Sequence, residues 1–425
     1  MRRARSVARR SRHYALLAAA LLFPLVLAGI GPASAQSLSQ RGFVEVGTAV
    51  FPQDASADRQ NTIVDLRIRE ELFAKPRPWL GLAGGVDLRG NTHQQVERSW
   101  RLDVSDRRLL RPALAIRRLS STLRRGPLTV DVGKQFIRWG KTDIVTPTDH
   151  FAPRDFMGVI DTEFLAVTGA RAVAQVGNES VDVVWVPRFT PSRMPLIDQR
   201  WTVLPPEAAG LVFVQAPPRL PARDQFGIRW GHTGRGYDLS VSAFDGVNHL
   251  PNVTTLPTAS PREVLLMRDY PLLRSYGADA AIPTRWFTLK GEAAWFDSPD
   301  RRSDEFVLYV VQVERQTGEW LLLAGYAGEA MTERRTAMAF APDRGLTRAL
   351  VGRVSYTIDT NRSAAFETAL RQNGRGAYAK GEYSQARGQH WRVTVAGVAI
   401  GGRQDDFLGQ YRRNSHLTLS LRYSF

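Results

Sequence analysis

The last eleven residues, "SHLTLSLRYSF", alternate without a break. Leu417, Leu419, Leu421, Tyr423 and Phe425 fall on one side of an extended chain, and His416, Thr418, Ser420, Arg422 and Ser424 on the other. Successive side chains of a strand point to opposite faces, so this is a strand with one apolar and one polar face. The pattern recurs upstream. In "NTIVDLRIREELF", Val64, Leu66, Ile68 and Leu72 alternate with Asp65, Arg67, Arg69 and Glu71. "DQFGIRWG" sets Phe226, Ile228 and Trp230 against Gln225, Gly227 and Arg229, and "RVSYTID" sets Val354, Tyr356 and Ile358 against Arg353, Ser355 and Thr357. In "WRVTVAGV", Trp391, Val393 and Val395 face away from Arg392 and Thr394. Unpaired charges in mid-strand are too costly for a dry sandwich core, whereas a wet lumen accommodates them. Eighteen such segments run from 42–51 to 415–425. They predict an all-β chain folded as a single antiparallel transmembrane β-barrel of about eighteen strands, with sixteen as the alternative.

The connections test this independently, because barrels of this kind alternate short periplasmic turns with longer outer loops. Counting back from a C-terminus on the periplasmic side, the turns are "KPRP", "RRGP", "GNES", "TGRG", "PT", "QTGE", "DTNR" and "RG". The other slots hold 52–60, 91–111, 140–161, 190–222, 247–270, 298–302, 331–345, 373–375 and 402–414. Most of these are long, and no long connection falls in a periplasmic slot. Trp79, Trp286, Trp320 and Trp391 all follow a short turn, where amphipathic rings would form a girdle at one membrane interface.

The ends of the chain add a route of export. Arg2, Arg3, Arg5, Arg9, Arg10 and Arg12 precede the apolar run Tyr14–Ile30, which is followed by Ala33 and Ala35 at cleavage spacing. This is the pattern of a secretory signal peptide, residues 1–35, cleaved near Ala35 to leave 36–425 as the barrel. An uncleaved membrane anchor is the alternative. The chain has no cysteine, so stability rests on hydrogen bonding and packing without disulfides. A strand that ends the chain on an aromatic residue resembles the C-terminal signature of Gram-negative outer-membrane barrels. That resemblance implies that Tyr423 and Phe425 are read by the barrel assembly machinery, and that lipid of the cell outer membrane surrounds the folded chain.

One stretch looks like a site: "GKQFIRWGKTDIVTPTDHFAPRDF", Gly133 to Phe156. "WGKT" has the end of a phosphate loop, but that motif needs a glycine at 135, where Gln135 stands. Asp143, Asp149, His150 and Asp155 have no spacing diagnostic of a metal site, and no G-x-S-x-G occurs in the chain. No catalytic residue, metal or cofactor is predicted, and no enzyme. In barrel context 141–161 is the third outer loop, flanked by strands 128–139 and 162–176, and Pro147 and Pro153 stiffen it. Such a compact loop is expected to fold inward. Lys141–Ile160 then forms a constriction with Lys141, Asp143, Asp149, His150, Arg154 and Asp155 as polar lining and Arg138 at the strand end. This stretch, together with "VVWVPRFTPSRMP" at Val183–Pro195, resembles porin-like outer-membrane proteins related to alginate-export-type barrels.

Charge refines the functional classes. The formal net charge is +16, and the polar strand faces carry Arg67, Arg69, Arg229, Arg353, Arg371, Arg392 and Arg422 against Asp65, Glu71, Glu292, Glu367 and Glu382. A basic excess in a pore lining favours anions; cross-strand pairing that merely stiffens the wall is the plainer reading. The arginines are spread along strands and not clustered with aromatics, so nucleic acid is not an expected partner. The expected function is a porin-like channel for small hydrophilic solutes, saccharides or anions. The alternatives are an outer-membrane component of envelope-polymer export, a non-conducting barrel or an outer-membrane enzyme. Homo-oligomerisation, common among porins, leaves no mark in the sequence and stays open.

Overall fold

The computed structural model describes residues 37–204, 208, 210–301, 303–335 and 344–425. The signal peptide and its cleavage position at Ala35 lie outside the described residues. Eighteen strands close into one antiparallel barrel. The first nine are β1 (Leu38–Val50), β2 (Thr62–Arg77), β3 (Leu80–Asn91), β4 (Leu114–Arg125), β5 (Leu128–Gln135), β6 (Val167–Val176), β7 (Glu179–Val186), β8 (Gln225–Gly234) and β9 (Tyr237–Val247). The rest are β10 (Leu272–Pro283), β11 (Thr288–Asp297), β12 (Glu305–Thr317), β13 (Trp320–Glu333), β14 (Ala349–Thr357), β15 (Arg362–Arg371), β16 (Gly376–Arg387), β17 (Trp391–Gly402) and β18 (His416–Ser424).

Each strand pairs with its neighbours in sequence, and β18 returns to β1 with Leu417 opposite Val50 and Ser424 opposite Phe43. The backbone of Phe425 completes the seam by exchanging hydrogen bonds with Gly42 at 2.9 and 3.0 Å. Closure leaves no strand edge unpaired, which hydrocarbon requires of any spanning sheet. The apolar faces point outward: Leu417, Leu419 and Leu421 on β18, Ile228 and Trp230 on β8, and Val393 and Val395 on β17 are all exposed. In water so wide an apolar band would aggregate; against lipid it is the favourable surface. Trp79, Trp286, Trp320 and Trp391 ring the short-turn end, and Trp185, Phe226 and Trp295 stand exposed near the other.

All eighteen predicted segments are strands, and the short and long connections alternate as expected. The boundaries differ most at the third long loop. It spans 136–166, longer than the 141–161 of the sequence reading, because β5 stops at Gln135 and β6 starts at Val167. Phe136–Gly140 and Thr162–Ala166 leave the wall, since Ile137 and Trp139 bury themselves inside the barrel. At the same end the fourth and fifth loops build a small sheet from Val212–Gln215, Asn252–Pro257 and Glu263–Asp269.

Candidate functional site

Two residues before β5 ends and loop 136–166 begins, Gly133 has a φ of 121° that no branched residue adopts without strain, and a Cβ there would strike the Leu119 carbonyl. Ile137, Trp139 and Phe151 then pack on the inner faces of β6, β7 and β9 through Val167, Val184, Val186 and Phe244. Trp139 donates its indole N–H to Asp182 at 2.9 Å. Asp149 ties the base of the loop together, accepting from the backbone N–H groups of Trp139 and Gly140 at 2.7 and 2.8 Å and pairing with Arg138 at 3.1 Å.

From there the loop reaches strands far around the wall. Glu292 on β11 is the anchor: its buried carboxylate accepts from the N–H groups of Lys141, Thr142 and Thr148 and from the hydroxyls of Thr142 and Thr148, all within 2.8–3.1 Å. Lys141 pairs with Asp279 on β10 at 3.1 Å. Asp143 pairs with Lys290 on β11 at 3.0 Å and accepts from Gln312 on β12 at 2.6 Å. Glycines on the lumen face admit the loop against bare backbone. A Cβ at Gly277 would strike Thr148, and one at Gly325 on β13 would strike Ile144.

The returning half meets the opposite wall. Arg154 lies over the Phe164 ring at 4.3 Å and donates to Thr146 at 3.0 Å. Asp155 is buried in a bidentate pair with Arg111, at 2.8 and 2.9 Å, beside Arg193 at 3.3 Å. Glu163 projects into four guanidiniums from β2, β3 and β4: Arg69 at 2.6 Å, Arg89 at 2.7 Å, Arg67 at 3.4 Å and Arg117 at 3.8 Å. Arg117 reaches this group because β4 bulges. Gly85 faces Arg118 and Val86 faces Ile116, so the extra residue lets both adjacent arginines turn inward.

Burial alone would raise these loop carboxyls, but the guanidiniums outweigh it. Arg89, Arg69 and Arg67 hold Glu163 well below the usual carboxylate range, and Arg111 and Arg193 do the same for Asp155. His150 follows the opposite rule. Burial beside Phe244, whose ring lies 5.2 Å away, pushes its imidazole down to about 4 despite nearby Asp149. Burial also lowers His249, whose two ring nitrogens sit 2.7 and 2.8 Å from the carbonyls of Thr190 and His150.

Beside the loop the lumen keeps an open cavity of about 650 Å³. Asp143, Asp149, His150 and Arg154 line it, whereas Arg138, Lys141 and Asp155 do not. Of the seven strand arginines singled out in the sequence, Arg353 lines the cavity. Arg67 and Arg69 are engaged by Glu163, and Arg229 by Asp279 at 2.9 Å. Arg371 binds Asp406 at 3.2 Å and the carbonyl of Thr347, Arg392 the hydroxyl of Ser384 at 3.0 Å, and Arg422 Glu45 at 2.6 Å. Tyr423 packs on Trp391, their rings 5.0 Å apart, at the seam that Phe425 closes. Sequence reasoning passed over Glu163, Arg89 and Arg117. Strand alternation places Arg89 on the polar face with Asp87, but nothing local marks Glu163.

This architecture has counterparts among solved structures. OpdK of Pseudomonas aeruginosa superposes with a TM-score of 0.54, at 8% identity over 92% of this chain and 100% of OpdK. A BenF-like porin from Pseudomonas fluorescens gives 0.53 at 9% identity, over 92% of this chain and 99% of its own. OccAB1 of Acinetobacter baumannii gives 0.52 at 9% identity, over 92% and 97%. At such identities the likeness is one of fold: this chain has the barrel fold of outer-membrane porins. No protein-family model matches it, and no curated protein sequence does.

Proposed function

We propose that this protein is a porin-like channel of the outer membrane, passing small hydrophilic solutes with a preference for anions. The observation that carries the reading is the loop 136–166, bonded to the lumen faces of β10, β11 and β12 through Asp279, Glu292 and Gln312 while a cavity of about 650 Å³ stays open beside it. A pore conducts according to its narrowest level, and an eighteen-strand barrel is wide enough for water unless a loop narrows it. OpdK has been crystallised with vanillate, which makes small aromatic carboxylates the first solutes to test. Kinship with alginate-export-type barrels is the finer part of the proposal and rests on the segments within Gly133–Pro195. Export through a leader cleaved after Ala35, recognition of Tyr423 and Phe425 by the assembly machinery, and a lipid-covered exterior complete the reading.

Planar-bilayer recording of the purified barrel tests it. Discrete channels are expected, and deletion of residues 141–160 should raise single-channel conductance. A folded barrel that never conducts, with or without the loop, would sink the proposal.

A further inference from the structure

A strand that separates lipid from a wet lumen alternates apolar and polar side chains, and β13 breaks that rule over Trp320–Leu323. Trp320 and Leu322 take the outward positions, while Leu321 and Leu323 point inward and line the open cavity. Leu321 is 37% exposed, so its apolar surface is given to the lumen and not packed into a core. Gly325 continues the same face two residues on, and Ile144 of the loop seats against it. Val351 on β14 pairs with Gly325 and lines the cavity as well. At about 3.3 Å per residue, the run from Leu321 through Leu323 to the level of Ile144 and Val351 is roughly 13 Å long, directed along β13. Leu346 and Phe407 extend it toward the long-loop end, packed on the same buried cluster as Val351.

Charge flanks this run on both sides. Leu323 pairs with Glu314 on β12 and with Arg353 on β14, each one strand spacing of about 4.8 Å away. Lys290 joins Glu314 at 2.7 Å, and Glu367 on β15 stands opposite Arg353. The cavity as a whole carries both signs: Asp143, Asp149, Glu314 and Glu367 line it together with Arg154, Lys290 and Arg353. A charged head of either sign therefore finds a partner beside the leucines, and charge alone does not sort solutes within this cavity. An apolar body does, because covering Leu321 and Leu323 removes apolar surface from water on both partners. A strip that covers only one side of a solute holds it long enough to enter the narrow level and weakly enough to leave.

We propose that Leu321, Leu323 and Val351 form an apolar track that favours, among small solutes of equal charge and size, those with a branched-alkyl or single-ring body. The proposal rests on the channel reading above and names the class of solute: amphipathic, with a charged or zwitterionic head. It makes Leu321 and Leu323 specificity-determining residues.

Leucine and asparagine are suitable probes, since both are zwitterions of nearly equal mass and differ in an apolar against an amide side chain. Their uptake is measured by swelling of vesicles carrying wild type, Leu321→Ser/Leu323→Ser or Leu321→Val/Leu323→Val barrels, with protein-free vesicles subtracted. Heat-modifiable migration confirms folding, and Leu321→Ser alone replaces the double serine variant if that one does not assemble. Wild type should pass leucine several-fold faster than asparagine. The serine variant should bring the ratio toward one while asparagine entry is not slowed, and the valine variant should keep most of the preference. Equal rates in wild type, or an unchanged ratio in a folded serine variant, overturn the track. Vesicles that pass neither solute through the wild-type barrel remove the channel reading itself.

Discussion

His150 and Glu163 stand on one loop and answer pH in opposite senses. Glu163 is held low by Arg89, Arg69 and Arg67, so its contribution to holding the loop is present above the unfolded carboxylate value and is lost only as pH falls through its depressed one. Acidification from pH 7 to 5 therefore leaves it charged. His150, pushed down to about 4 by burial, is neutral in the docked loop and protonates near 6.5 once the loop is released. The released state then binds the extra proton, and docking weakens as pH falls from about 6.5 toward 4. His249, lowered in the same direction, adds to this. More frequent transitions to a higher conductance level are expected at pH 5 than at pH 7, and His150→Gln should reduce that difference. Identical pH dependence in wild type and variant, with both barrels folded, would exclude His150 as the sensor.

At the level of elements, the loop is held by complementarity with particular strands. Glu292 gathers five donors, and Gly277 leaves the notch that Thr148 fills. Overfilling a packed site costs roughly 1–3 kcal/mol, and lost hydrogen bonds to a buried carboxylate add about as much again. Gly277→Leu should therefore lift residues 141–148 off β10 and β11 and raise single-channel conductance while the barrel stays assembled, because the wall's own ladder is untouched. Unchanged conductance in a folded Gly277→Leu barrel would mean that the loop does not set the narrowest level. The strands themselves were legible from alternation, including the inward face of Arg67, Arg69 and Arg353. The bulge that turns both Arg117 and Arg118 inward was not, since a bulge is visible only in the register between two strands.

For the molecule as a whole, closure makes a topological prediction. The long connections gather at one end, and each turn at the other is short. Cysteines introduced into this cysteine-free chain at Asp300 or Gln404 should react with a membrane-impermeant maleimide on intact cells, whereas Gly318 and Asn361 should react only after the membrane is opened. Labelling of Gly318 on intact cells would invert the barrel.

The sequence by itself determined an antiparallel barrel of about eighteen strands with sixteen as the alternative, the two faces of each strand, the order of short and long connections and the inward course expected of the third loop; the closed count of eighteen came with the structure. The features legible in the sequence follow from local rules: a two-residue period, turn chemistry and the demand of hydrocarbon for a closed ladder. Only the tertiary structure decided which charges meet. Glu163 lies some ninety residues from Arg69, at a separation of 94, and Glu292 lies 144 residues from Thr148; no period or motif links positions so far apart. Whether an arginine on a lumen face reaches the open cavity depends on what the loop places against it, as Arg67 and Arg353 show. Residue type and strand face were written along the chain, but pairing across the lumen exists only once the barrel has closed around its own loop.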